Sequence, residues 1–148
     1  MTKRMWMALI SLLGLFLGAY LTLYKFGMIG TLACSVSSCE QVQTSRWSVF
    51  LGLPVATWGL GFYALMLVLS IVGMQERYAD SRGLALAILL IAGWGAVFTA
   101  WLNYLEAFVI HAWCEWCLFS AGMVLVLFIL ALLDYRETRM VDYEAASP

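Results

Sequence analysis

Long apolar runs separated by short polar stretches set the pattern of the chain. Residues 5–24, 54–74, 83–104 and 118–133 carry no charged side chain, and the last run extends back to Ala112 across Glu115. With that extension each is long enough, at about 1.5 Å per helical residue, to cross a hydrocarbon core about 30 Å thick. In lipid the backbone must pair its polar groups within a helix or a closed barrel, and runs this continuous lack the alternation of barrel strands. The pattern therefore predicts an all-α integral membrane protein, a bundle of four transmembrane helices. Residues 1–148 read as one membrane domain, with an outer loop at 25–53 and a cytoplasmic tail at 134–148. No repeat, linker or low-complexity tract interrupts it.

Composition agrees and removes other classes. At 148 residues the chain is 64% hydrophobic and 11% charged, far more apolar than a soluble domain of that size needs to be. A net charge of -1 provides no electrostatic footprint for nucleic acid. Basic residues are unevenly shared between the two ends of the spans. Lys3, Arg4, Arg77, Arg82, Arg136 and Arg139 fall on one side, and Lys25 and Arg46 on the other, which predicts that both termini are cytoplasmic.

The N-terminus admits a second reading. The basic start Thr2-Lys3-Arg4 before an apolar run is also the form of a cleaved signal peptide, and Thr31-Leu32-Ala33-Cys34 is similar to a lipoprotein cleavage site. Against that, the run is as long as a full span, and Lys25 interrupts it well before Cys34. A retained anchor is the expectation. Gly14 and Gly18 give it a small-xxx-small face, which ordinarily means close helix packing.

The chemistry resides in the cysteines. Cys34 and Cys39 lie in the polar loop after the first span, and Cys114 and Cys117 lie where the last begins. The predicted orientation puts all of them on the outer face, where bacterial disulfides persist. Cys34-Ser35-Val36-Ser37-Ser38-Cys39 resists regular helix, and its small residues allow a turn that brings the two Cα atoms within about 7 Å. From Glu40 to Leu53, apolar Val42, Trp47, Val49, Phe50, Leu51 and Leu53 alternate loosely with polar groups, a pattern for a short interfacial helix. Pro54 suits the first turn of the next span.

Cys114-Glu115-Trp116-Cys117 is a C-x-x-C at a helix start. Unsatisfied N–H groups and the positive end of the helix dipole suit an anionic sulfur there, so at least one of the two should be nucleophilic. The inner Cys117 is placed to meet a lipid-soluble molecule while Cys114 reaches the aqueous loop. Two static disulfides, or a zinc ion held by thiolates, are the alternatives in a non-catalytic membrane scaffold. A C-x-x-C closes too short a loop to constrain the unfolded chain much, and a bundle with its own core has little need of a structural metal. Redox exchange between a loose and a tight pair explains the spacing better.

Cys39-Glu40-Gln41-Val42-Gln43-Thr44-Ser45, then Gly52-Leu53-Pro54-Val55, a span with Gly59, Gly61 and Tyr63, and finally Cys114-Glu115-Trp116-Cys117-Leu118 follow one another along most of the chain. In that order they resemble the bacterial members of the vitamin K epoxide reductase (VKOR) family. The DsbB-type quinone reductases perform related chemistry in four helices but place the tight pair in the first outer loop, the reverse of the order here. Some bacterial relatives carry a fifth helix and a fused thioredoxin-like domain. The chain ends soon after Leu133, so the single-domain form and a separate thioredoxin-fold partner are expected.

The resemblance implies a quinone-dependent thiol-disulfide oxidoreductase of the bacterial inner membrane that supports disulfide formation. A periplasmic DsbA-like thiol oxidase would attack the Cys34–Cys39 disulfide, at Cys34, through a mixed disulfide. Cys39 would then attack Cys114, and Cys117 would pass the electrons to ubiquinone or menaquinone. Ser45 matches a family serine that organises the loop. Departures fall at the quinone: where vertebrate relatives have a tyrosine one turn after the inner cysteine, Ala121 stands here, and no asparagine opens the second span. Asn103, Tyr104 and Trp116 are the expected substitutes at the quinone; Trp58, Trp94, Trp101 and Trp113 are further candidates for its lining, although most of the tryptophans read as ordinary membrane-interface side chains. His111 reads as an interfacial side chain or a proton carrier for Cys114, and Glu106 and Glu115 as solvated rim.

Overall fold

The computed structural model describes residues 2–28, 30 and 39–148, with the backbone alone at 2, 39, 40 and 43. Cys34, and with it the expected Cys34–Cys39 disulfide turn, lies outside the described residues. In chain order the elements are α1 (Thr2–Lys25), α2 (Cys39–Thr44), a 3-10 turn (Arg46–Ser48), β1 (Val49–Phe50), β2 (Leu53–Pro54), α3 (Val55–Gly73), a second 3-10 turn (Glu76–Tyr78), α4 (Arg82–Tyr104) and α5 (Glu115–Ala146). Leu105–Ile110 continues α4 as a π-helical turn. Among the described residues, four segments are long and apolar enough to cross a membrane: Lys3–Lys25, Val55–Gly73, Arg82–Ile110 and Glu115–Ala146. The chain is an all-α multi-pass membrane bundle.

Small residues bring the helices together. The Tyr63 ring of α3 occupies the space a side chain at Gly14 would need, and a Cβ at Gly18 would come 3.1 Å from the Leu60 Cα. The glycine face of α1 is thus spent on packing against α3. Gly95 of α4 receives the Phe62 ring in the same way, 2.5 Å from where its Cβ would stand. Met7, Tyr63, Met66, Ile88, Ala92, Val124, Leu127 and Ala131 make the buried centre. Apolar side chains also cover the outside: Phe16, Leu90, Trp94 and Val97 are 65%, 63%, 70% and 67% exposed, as lipid-facing positions are.

One end of the bundle is clamped by charge. Arg4 is buried, with its Nε donating to both Asp134 carboxylate oxygens at 3.1 and 3.2 Å. Its Nη1 donates to the carbonyls of Gly73 at 2.6 Å and Tyr78 at 2.9 Å. This guanidinium ties the start of α1, the end of α3 and the far half of α5, and Lys3 pairs with Glu137 beside it. The expected tail is therefore largely helix: α5 runs on to Ala146, through residues of good helix propensity such as Arg136, Glu137, Arg139 and Met140. At the N-terminal side of α4, Ser81 caps the helix by accepting from the Leu84 N–H at 3.3 Å.

The opposite end holds the loop, in which a short helix forms as expected but is confined to α2. The rest, to Pro54, is a 3-10 turn and a two-strand hairpin in which Val49 faces Pro54 and Phe50 faces Leu53. The turn residues Leu51 and Gly52 have φ of 51° and 81°, the doubly positive pattern that suits a tight hairpin. Gly52 adopts it freely, whereas Leu51 is strained. Aromatic contacts hold the hairpin down. Phe50 packs edge-on to Trp58, Phe98 and Trp101, and the Trp58 Nε1–H donates to the Phe50 carbonyl at 2.9 Å.

Candidate functional site

Cys114 is the N-cap of α5, with extended backbone at φ -108° and ψ 116°. Its carbonyl accepts the Leu118 N–H at 3.0 Å and so begins the helix. Cys117 follows in the first turn, and the two sulfurs hydrogen-bond to each other. The C-x-x-C does open a helix, as expected. Cys114, however, does not reach water. It is fully buried in a cluster with Leu17, Leu21, Val42 and Ala112. Val42 belongs to α2, the short helix whose first residue is Cys39, so the loop segment covers Cys114.

The approach to Cys114 is irregular for a reason visible in the backbone. At the end of α4 the helix widens into the π turn, and the Glu106 carbonyl accepts the N–H groups of both His111 and Ala112. His111 closes the turn in the left-handed region, φ 56° and ψ 35°. Such single π turns recur at functional sites. This one aims the Glu106 side chain inward. Glu106 is only 3% exposed, takes a long 3.4 Å hydrogen bond from the Cys114 N–H and accepts the Cys117 thiol. It is not the solvated rim that its neighbourhood in the chain suggested. The signal that could have found it is an acidic residue within reach of a span, which defaults to function.

Cys117 opens onto a cavity of about 330 Å³ between the helices. Its walls are mostly apolar, from Leu17, Leu21, Val55, Phe62 and Phe98 among others, with Asn103, Glu106, Ser120 and Tyr63 as convergent polar groups. The Tyr63 hydroxyl meets Ser120 Oγ at 2.7 Å. Asn103 donates to the Thr99 carbonyl at 2.8 Å, and its buried Oδ1 has no partner among the described residues. The loop closes the cavity through Ser45, Trp47, Ser48 and Phe50. Within that loop the Ser45 hydroxyl donates to the Val42 carbonyl at 2.8 Å, its own carbonyl takes the Ser48 hydroxyl at 2.7 Å, and Lys25 donates to Ser48 at 2.7 Å.

The expected quinone contacts divide. Asn103, Trp58 and Trp94 line the cavity, but Tyr104, Trp116, Trp101 and Trp113 do not. Tyr104 is 56% exposed and stacks on Phe108, and Trp116 packs edge-on to Tyr20 at 5.7 Å between centroids. Helical rotation explains both, since Tyr104 is next to Asn103 in sequence and about 100° round the helix from it. His111 is exposed and lines no part of the cavity. Glu115 is half-buried in the first turn of α5.

A cysteine pair beside a buried carboxylate, opening on an apolar cavity inside a four-helix membrane bundle, defines a membrane-embedded redox protein. The family model for the vitamin K epoxide reductase family matches residues 5–132, a stretch that contains every cysteine of the chain. The chain belongs to that family, and is an oxidoreductase by membership.

Proposed function

We propose that the protein reoxidises a thioredoxin-fold, DsbA-like thiol oxidase and delivers the electrons to a membrane quinone. The observation that carries this reading is Cys117 standing in the wall of the apolar cavity with Cys114 hydrogen-bonded behind it. A planar, lipid-soluble acceptor suits a cavity of this kind, which needs few polar groups to fix orientation. Electrons enter at the loop pair by attack of the partner's thiolate on the Cys34–Cys39 disulfide. Cys39 then attacks Cys114, which is supported by the α2 segment lying over that residue. Cys117, released, reduces the quinone held in the cavity. The basic-residue bias supports an orientation with the cysteine end of the bundle on the periplasmic face of the inner membrane and both termini in the cytoplasm.

Purified protein mixed with a reduced thioredoxin-fold oxidase and a soluble quinone tests this directly. Quinone absorbance should fall with the wild type and stay constant with Cys117→Ser. Absence of turnover with every partner and quinone would sink the reading. The relay has its own signature: Cys117→Ser, or Cys34→Ser, should accumulate a Cys39–Cys114 disulfide in non-reducing mass mapping. Linkages confined to each pair in both variants would exclude that route.

A further inference from the structure

We propose that Glu106 is a catalytic base: it takes the proton of the Cys117 thiol and passes it to an oxygen of the electron acceptor in the cavity. This rests on the quinone reading above. Three observations converge on it. The carboxyl is a hydrogen-bond partner of the Cys117 sulfur and of the Cys114 N–H, so it stands one short proton transfer from the reacting pair. The same side chain lines the cavity with Cys117, so donor, carrier and acceptor share one space. Among the described residues that line the cavity, Glu106 is the sole acid, and no lysine, arginine or histidine lines it. Burying a carboxylate with no cation beside it is expensive, and the π turn that aims it inward leaves its carbonyl shared between two N–H groups.

The proton balance needs such a group. Oxidation of Cys114 and Cys117 forms one S–S bond and releases two electrons and two protons, and reduction of a quinone to its quinol consumes both pairs, with one proton added to each oxygen. Glu106 accepts the first proton from the Cys117 S–H, gives it to the nearer oxygen and returns to the carboxylate. The second proton, from Cys114, is taken as the S–S bond closes by the same carboxylate, which already holds the Cys114 N–H, and is given to the second oxygen to complete the quinol. No other reductant or oxidant enters.

The test uses pre-reduced full-length protein and a soluble short-chain quinone in a single turnover. Glu106→Gln keeps an oxygen for the Cys114 N–H but cannot take a proton, so quinone reduction should slow about 10²-fold or more while quinone affinity and thermal unfolding hold. The wild-type reaction should also slow in deuterium oxide. A Glu106→Gln rate equal to wild type, or a wild-type rate indifferent to deuterium, overturns the proposal, and the second measurement decides should the variant not fold. Infrared spectra of the reduced protein add a reading independent of quinone. The S–H stretch should shift in Glu106→Gln, because a thiol donating to a charged oxygen is held more strongly than one donating to an amide. An unshifted band overturns the role of Glu106 whatever quinone does, whereas a shift in a protein that reduces no quinone would indict the quinone reading instead.

Discussion

Tyr63 shows how much one side chain does in this bundle. Its ring fills the notch left by Gly14 and its hydroxyl meets Ser120 at the cavity wall, so it joins α1, α3 and α5 at one point. Tyr63→Phe should keep the ring packing and lose the hydrogen bond, at about 0.6 kcal/mol, the average measured for such bonds within membranes. Reversible unfolding in mixed micelles reads that difference. Single residues were also where the sequence was least legible. Spacing and resemblance placed Cys114 and Cys117 correctly at a helix start, because the N-cap role is local. Whether Glu106 points to water or to sulfur depends on a π turn that no local preference announces, and Tyr104 and Asn103 could not be told apart without the rotation of α4.

Among the elements, α1 and α3 depend on each other most. Gly14→Val would drive a branched side chain into the Tyr63 ring, and overpacking of that kind costs about 1–3 kcal/mol. Gly122→Ala, with nothing within 4 Å of its Cβ, should leave the same thermal transition unmoved and serves as the control. The membrane helices were legible because charge-free length alone specifies them in lipid. The loop was not. Its alternation of apolar residues fits an interfacial helix and a hairpin equally, and contacts of Phe50 with Trp58, Phe98 and Trp101, all distant from the turn itself, select the hairpin.

Across the whole molecule, the buried arginine clamp and the cysteine pair lie at opposite ends. The Arg4–Asp134 pair joins the start of α1 to the far half of α5, and Asp134→Ala would leave a buried guanidinium without its counter-charge, a loss of about 3–5 kcal/mol. Chemical or thermal unfolding of the variant, followed in detergent, should show that loss, while the cysteine end keeps its geometry. Orientation is testable on the same scale: a green fluorescent protein fused after Pro148 should fluoresce, and an alkaline phosphatase at the same position should be inactive, if the termini are cytoplasmic.

Full burial of Cys114 beneath the α2 segment has a consequence for traffic with the surroundings. A small thiol dissolved in water has no straight line to that sulfur, so Cys114 is insulated from the ambient thiol pool. The insulating segment begins with Cys39, so on the proposed relay the conductor into the bundle would be part of the sheath.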